Sequence, residues 1–163
     1  MRILGVDPGY GLLGFGALDV DGNRIKYITH GHISTPKTLD LSKRLLILYE
    51  ELEKILENLS PDLVAVEKIF FVKSVTTALE VGHARGIVLM EAAKFGSEVF
   101  ECSPQQVKIS VSGYGRAKKR QVQEMITRLL NLSEVPKPDD AADALAIAWC
   151  AALYGRKASE IET

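Results

Sequence analysis

The sequence contains little that could staple a fold or anchor it in a membrane. Its 163 residues include two cysteines, Cys102 and Cys150, with no CxxC spacing. That count excludes a disulfide scaffold and a thiolate zinc site. Both thiols are expected to be reduced core residues. The three histidines, His30, His32 and His83, are not spaced for a zinc cluster. They are expected on strand surfaces and a helix. No uncharged stretch reaches the roughly 18 apolar residues of a membrane span. The opening run "MRILGVDPGY" reads as a strand and not a signal peptide. A cytoplasmic protein without membrane contact is the expectation. There is also no repeat, no low-complexity tract and no linker. The formal net charge of −1 argues neither for nor against nucleic acid.

What is present is one sizeable core. The 47% apolar fraction and 25% charged fraction suit a single globular domain. We expect it over 1–155, followed by a short tail at 156–163. Strands are expected at 2–7, 13–20 and 24–34, the last two joined by the turn "DGN". Short connections make these three an antiparallel meander. A helix is expected over 40–58, where Leu41, Leu45, Leu48, Leu52, Ile55 and Leu59 recur at three and four. Pro61 closes it. "LVAVEK" (63–68) is a fourth strand, 74–96 a long helix ending at Gly96, and 98–102 a fifth strand. Helices near 104–111, 119–131 and 139–154 follow, with the loop "SGYGRAK" between the first two. The order implies an α/β fold, a mixed five-stranded sheet flanked by helices.

Acids gather where apolar elements end. Asp7 closes the first strand and Glu67 closes "LVAVE". A carboxylate there is costly to bury without a partner. The last helix begins with Asp139, Asp140 and Asp143. Acids in a first turn oppose the positive end of the helix dipole, and Asp139 or Asp140 could cap it. Asp143 sits where the apolar face starts, which those roles explain poorly. It shares a face with Asp140 at i, i+3 and with Asp139 at i, i+4. If strands one and four are neighbours, these acids converge. An oxygen-rich cluster without histidine suits Mg²⁺ or Mn²⁺. Two such ions suit phosphoester hydrolysis.

Basic residues cluster elsewhere. Lys108, Arg116, Lys118, Lys119, Arg120 and Arg128 face a single acid, Glu124, between 108 and 128. That asymmetry can make a basic surface on a neutral protein. Small residues Ala78, Gly82 and Gly86 line one face of helix 74–96, for self-association or for internal packing. The glycines of "DPGYGLLGFG" allow a phosphate-loop reading as well. However, 163 residues are too few for the two domains of an actin-like ATPase or sugar kinase.

Four stretches together carry a resemblance: "ILGVDPGYGLLGFG", "LVAVEKIFFVKSVTTALEVGHARGIVL", "QQVKISVSGYGRAKKRQVQEMI" and "DDAADALAIA". In this order, over nearly the whole chain, they resemble the RuvC family of bacterial Holliday-junction endonucleases. The resemblance implies an RNase H-like fold and a homodimer formed through helix 74–96. It implies paired nicks in four-way junction DNA, leaving 5′-phosphates and 3′-hydroxyls, beside the branch-migration motor proteins RuvA and RuvB. The family's acids fall on Asp7, Glu67, Asp140 and Asp143, which places Asp140 and not Asp139 in the site. Two Mg²⁺ ions per site are implied, with Mn²⁺ able to substitute. DNA contacts fall on Phe70 as a stacking aromatic and on Lys108 and Lys119 near the scissile phosphate. Lys118 and Arg120 are expected on the DNA backbone. A related RNase H-like nuclease acting on RNA (YqgF type) and a catalytically silent junction binder are the competing expectations.

Overall fold

The computed structural model describes residues 1–9, 11–69 and 75–159. Five strands form one sheet: β1 (Arg2–Asp7), β2 (Leu12–Asp21), β3 (Arg24–Ser34), β4 (Leu63–Glu67) and β5 (Glu98–Cys102), in the order β3-β2-β1-β4-β5. The first three are the expected antiparallel meander. β4 then pairs in parallel with β1, and β5 in parallel with β4. The parallel pairs need crossovers, which α1 (Leu41–Leu59) and α2 (Val75–Lys94) supply. The remaining helices are α3 (Pro104–Ser112), α4 (Lys119–Leu129) and α5 (Asp139–Ser159), the last running beyond the expected end at 154.

Strand alternation divides the core in two. Leu4, Val6, Leu13, Ala17 and Val64 pack against Leu48, Leu52 and Leu56 of α1 and Ala84, Val88 and Ala92 of α2. Ile3, Leu18, Leu63 and Ala65 pack on the other face against α3, α4 and α5. The centre of the α1 stripe is therefore Leu48–Leu52–Leu56 at i, i+4, with Leu41 exposed at its edge. The helix stops where Ser60 turns left-handed and its amide bonds the Leu56 carbonyl at 2.7 Å. Cys102 and Cys150 are buried and unbridged, as expected. Among the described residues no helix is long and apolar enough to cross a membrane.

One buried charge is out of keeping with this core. Glu91 of α2 is fully buried, and among the described residues neither carboxylate oxygen has a hydrogen-bond partner. Lys94 Nζ lies 3.7 Å away. Burial raises the Glu91 pKa above its ordinary value, with Lys94 opposing. Replacing a poorly satisfied buried acid by an apolar group of similar size is often stabilising. Glu91→Met is expected to raise the melting temperature, by about 1–2 kcal/mol of stability. A fall in thermal unfolding temperature would show that the carboxylate is better satisfied than this geometry indicates.

Candidate nuclease site

Period-two alternation carries Asp7 onto the same sheet face as Ile3 and Gly5, and Glu67 onto the face of Leu63 and Ala65. That is the face covered by α5. The β1–β4 register pairs Val6 with Val66, so the two acids follow side by side at the carboxyl ends of neighbouring parallel strands.

Glycine brings α5 down onto them. A Cβ on Gly5 would stand 2.1 Å from the Ala144 carbonyl oxygen. One on Gly14, the β2 partner of Asp7, would stand 2.1 Å from the Asp140 carbonyl oxygen. The first turn of α5 thus lies against bare strand backbone. Ala141, Ala142 and Ala144 are fully buried there, while Asp140 and Asp143 remain half-buried at the rim. Asp139 points away, exposed and paired with Lys137 at 3.0 Å. It is a solvent residue of the first turn.

A cleft of about 320 Å³ opens beside these acids, lined by Asp7, Glu67, Lys108, Lys119, Asp143 and apolar residues of α3, α4 and α5. Two caps aim its lysines. Ser103 caps α3 through a reciprocal pair with Gln106 (2.8 and 3.1 Å), which fixes the helix carrying Lys108. Gln121 accepts a bond from the Lys118 amide at 2.8 Å, fixing the start of α4 and with it Lys119. Lys118, Lys119 and Arg120 then occupy a helix N-terminus with no acid in its first turn. Cations at that end oppose the helix dipole at a cost of about 0.3–1 kcal/mol each. Such a placement favours anion capture over helix stability.

The charges in the cleft are strongly coupled. Burial, then the fields of Asp143, Asp140 and Glu67, push the Asp7 carboxyl up to about 7, with Lys119 pulling the other way. Glu67 is also raised, by burial first and then by Asp143, against Lys108 and Lys119. Lys119 Nζ bonds Asp143 Oδ2 at 2.7 Å. Burial lowers the Lys119 pKa, but that bond and the nearby acids outweigh it and hold it above its ordinary value. Lys118 and Arg120 lie outside the cleft. Lys118 is exposed at the α4 cap, and Arg120 bonds Glu124 at 2.8 Å on the solvent face. Phe70 lies outside the described residues.

A side chain missed in the sequence completes the cluster. Gln123 of α4 is buried, and its Nε2 donates to Asp143 Oδ1 at 3.0 Å. The one available signal is its place one turn after Lys119 on the same helix.

Among the described residues no group of three or more acidic, histidine or cysteine side chains is placed to hold a metal ion. The donor set nevertheless fits a hard divalent cation. All its donors are oxygens, and Asp7 and Glu67 hold protons more tightly because neighbouring acids and burial disfavour their ionisation. A divalent charge would relieve that repulsion.

The family described as Crossover junction endodeoxyribonuclease RuvC matches residues 3–151. A protein of that name from Thermotoga petrophila is 62% identical over 156 residues, covering 96% of this chain and 94% of its own. The Thermus thermophilus RuvC structure is 34% identical, with a TM-score of 0.87 and 97% of each chain covered. The structure of T. thermophilus RuvC in complex with Holliday junction substrate gives 0.91 over 98% of this chain and 97% of that one. The expected RNase H-like fold is thereby established, with its mixed sheet and helices on both faces. By sequence match along almost its whole length and by the arrangement of its strands and helices, the chain belongs to the RuvC family of crossover junction endodeoxyribonucleases.

Proposed function

We propose that this chain, through one nuclease domain at 1–155, resolves Holliday junctions in recombination and repair in the cytoplasm. The reaction is phosphodiester hydrolysis by paired, symmetric nicks that leave 5′-phosphate and 3′-hydroxyl ends. The observation that carries it is the cleft itself, where Asp7, Glu67 and Asp143 meet Lys108 and Lys119. It sits in a fold that overlays on T. thermophilus RuvC in complex with Holliday junction substrate. That likeness favours junction DNA over the RNA alternative.

Asp7, Glu67, Asp140 and Asp143 would hold two divalent ions, Mg²⁺ or Mn²⁺. Asp7 would contribute to both ions, Glu67 to one, and Asp140 and Asp143 to the other. When bound, such ions would supply activation of a water and neutralisation of charge at the leaving oxygen. The chain's own groups do the rest. Asp7, pushed up to about 7 by burial and its acidic neighbours, would have to lose its proton to serve as a ligand. Lys119 hydrogen-bonds Asp143 in the free protein and lies within reach of a phosphate entering the same cleft. With Lys108 it offsets the charge that grows on the scissile phosphate. Lys118 and Arg120 hold backbone phosphates farther out, a salt-sensitive contribution. Phe70 offers a base-stacking face.

Two nicks related by a twofold axis call for a dimer. Its surface is α2. A Cβ on Gly82 or Gly86 would meet no described atom within 4 Å, so these glycines serve no close packing among the described residues. Leu79 and Met90 on the same helix are 59% and 53% exposed. These residues recur at three and four, the stripe of a helix–helix seam. Gly86→Arg is expected to halve the mass seen in sedimentation equilibrium, from a dimer to a monomer. An unchanged dimer would place the interface elsewhere. RuvA and RuvB are the proposed motor partners.

The function is tested by offering a mobile four-way junction and a linear duplex of the same sequence, each with Mg²⁺ and with EDTA. Cutting of the junction alone, lost in EDTA, is expected. Equal cutting of the duplex, or preference for RNA, would contradict the substrate.

A further inference from the structure

We propose that Gln123 is a positioning residue for the cleft: its amide fixes the Asp143 carboxylate so that Oδ2 faces the cation site. The inference rests on the metal-dependent function proposed above and deepens it. Asp143 has both oxygens engaged from α4. Gln123 Nε2 holds Oδ1 at 3.0 Å, and Lys119 Nζ holds Oδ2 at 2.7 Å.

The two contacts differ in kind. The Lys119 side chain is 60% exposed on a long flexible stem and can leave for a phosphate. Gln123 is only 6% exposed, so its side chain has little room to swing away. The orientation of its amide is fixed by chemistry, since an ionised carboxylate only accepts and the NH₂ end must face it. Lys119 is thus exchangeable and Gln123 permanent. A fixed bond to one oxygen stops the carboxylate from turning when Lys119 departs, so the freed oxygen stays aimed at the cleft. Groups that orient a metal ligand in this way typically account for about 10–100-fold in metal affinity.

A neighbouring residue separates this role from ordinary packing. Thr127 lies one turn further along α4 and is buried to a similar degree, 8% exposed. Its hydroxyl bonds the Gln123 carbonyl at 2.7 Å. Thr127→Val should therefore disturb the same region of the core without loosening Asp143.

The test is calorimetric titration of the full chain with Mn²⁺ alone, for the wild type, Gln123→Met, Thr127→Val and Asp143→Asn. Junction affinity in EDTA and thermal unfolding are measured beside it. The expected result is an affinity at least about 10-fold weaker in Gln123→Met and unchanged in Thr127→Val. Junction binding in EDTA should stay within about twofold of wild type for both, because no phosphate-holding group is touched. An affinity lost in Asp143→Asn but unchanged in Gln123→Met would overturn the positioning role and leave the proposed function standing. Equal losses in Gln123→Met and Thr127→Val would also overturn it, since both would then act through the packing of α4. An affinity untouched by Asp143→Asn would overturn the assignment of Asp143 as a ligand and this inference with it.

Discussion

Asp7→Asn is expected to abolish cleavage and at the same time to stabilise the metal-free protein above neutral pH. Both effects follow from where Asp7 sits. Burial first, and then Asp143, Asp140 and Glu67, raise its carboxyl from an ordinary 3.8 to about 7. Between those values the unfolded chain has lost the proton while the folded chain keeps it. The unfolded state binds fewer protons there, so stability falls as pH rises through this window. Above about pH 7 the loss is complete. At about 1.4 kcal/mol for each pKa unit it amounts to roughly 4 kcal/mol. Asparagine carries no charge and removes it. The wild type in EDTA should therefore melt at a lower temperature at pH 8 than at pH 5, and Asp7→Asn should lose most of that slope. Mg²⁺ should restore the wild type at pH 8 and do little for the variant. Cleavage of a junction should fall by more than about 100-fold, since a shared ligand matters more than the outer groups that orient it. A variant less stable than wild type in EDTA at pH 8 would contradict the crowded, buried carboxylate described here.

Gly14→Ala is the second large effect, and it reaches the site through backbone alone. The added methyl would stand 2.1 Å from the Asp140 carbonyl oxygen and 2.3 Å from its carbon. Neither is the end of a flexible side chain. Either β2 bends outward or the first turn of α5 lifts from the sheet. Overpacking of this kind costs about 1–3 kcal/mol, and contact with rigid backbone puts it at the upper end. If α5 lifts, Asp140 and Asp143 retreat from Asp7, and cleavage falls with stability. Chemical unfolding should show the lower midpoint, and Mn²⁺ titration the weaker site. Alanine at 14 with wild-type stability and activity would mean that α5 does not rest on the strand as closely as these distances state.

These two positions also mark how far the sequence could be read. Strands and helices were legible because Ile3/Leu4 alternation and the leucine spacing of α1 report directly on which faces are buried. The acids were legible because charge at the end of an apolar strand needs a reason. The contact that brings them together was not. Gly5 drew no reading and Gly14 belonged to a glycine run open to a phosphate-loop reading, and only the packed helix reveals what their missing side chains admit. Gln123 was hidden for the same reason, because its partner Asp143 is 20 residues away and meets it only through tertiary packing. The small residues of α2 left two readings open, inward or outward. The open space beyond Gly82 and Gly86 favours outward. In α1 the stripe was found but centred too broadly, since Leu41 lies at its exposed edge.

The central claim is that one dimer cuts two symmetric strands of a four-way junction. The most direct measurement uses a supercoiled plasmid that extrudes a cruciform, incubated with the wild-type protein and Mg²⁺. Paired nicks across the junction within one encounter give linear plasmid whose ends a ligase can seal, and this is the result expected. Nicked circles without linear product, or equal cutting of a plasmid that lacks the inverted repeat, would contradict it.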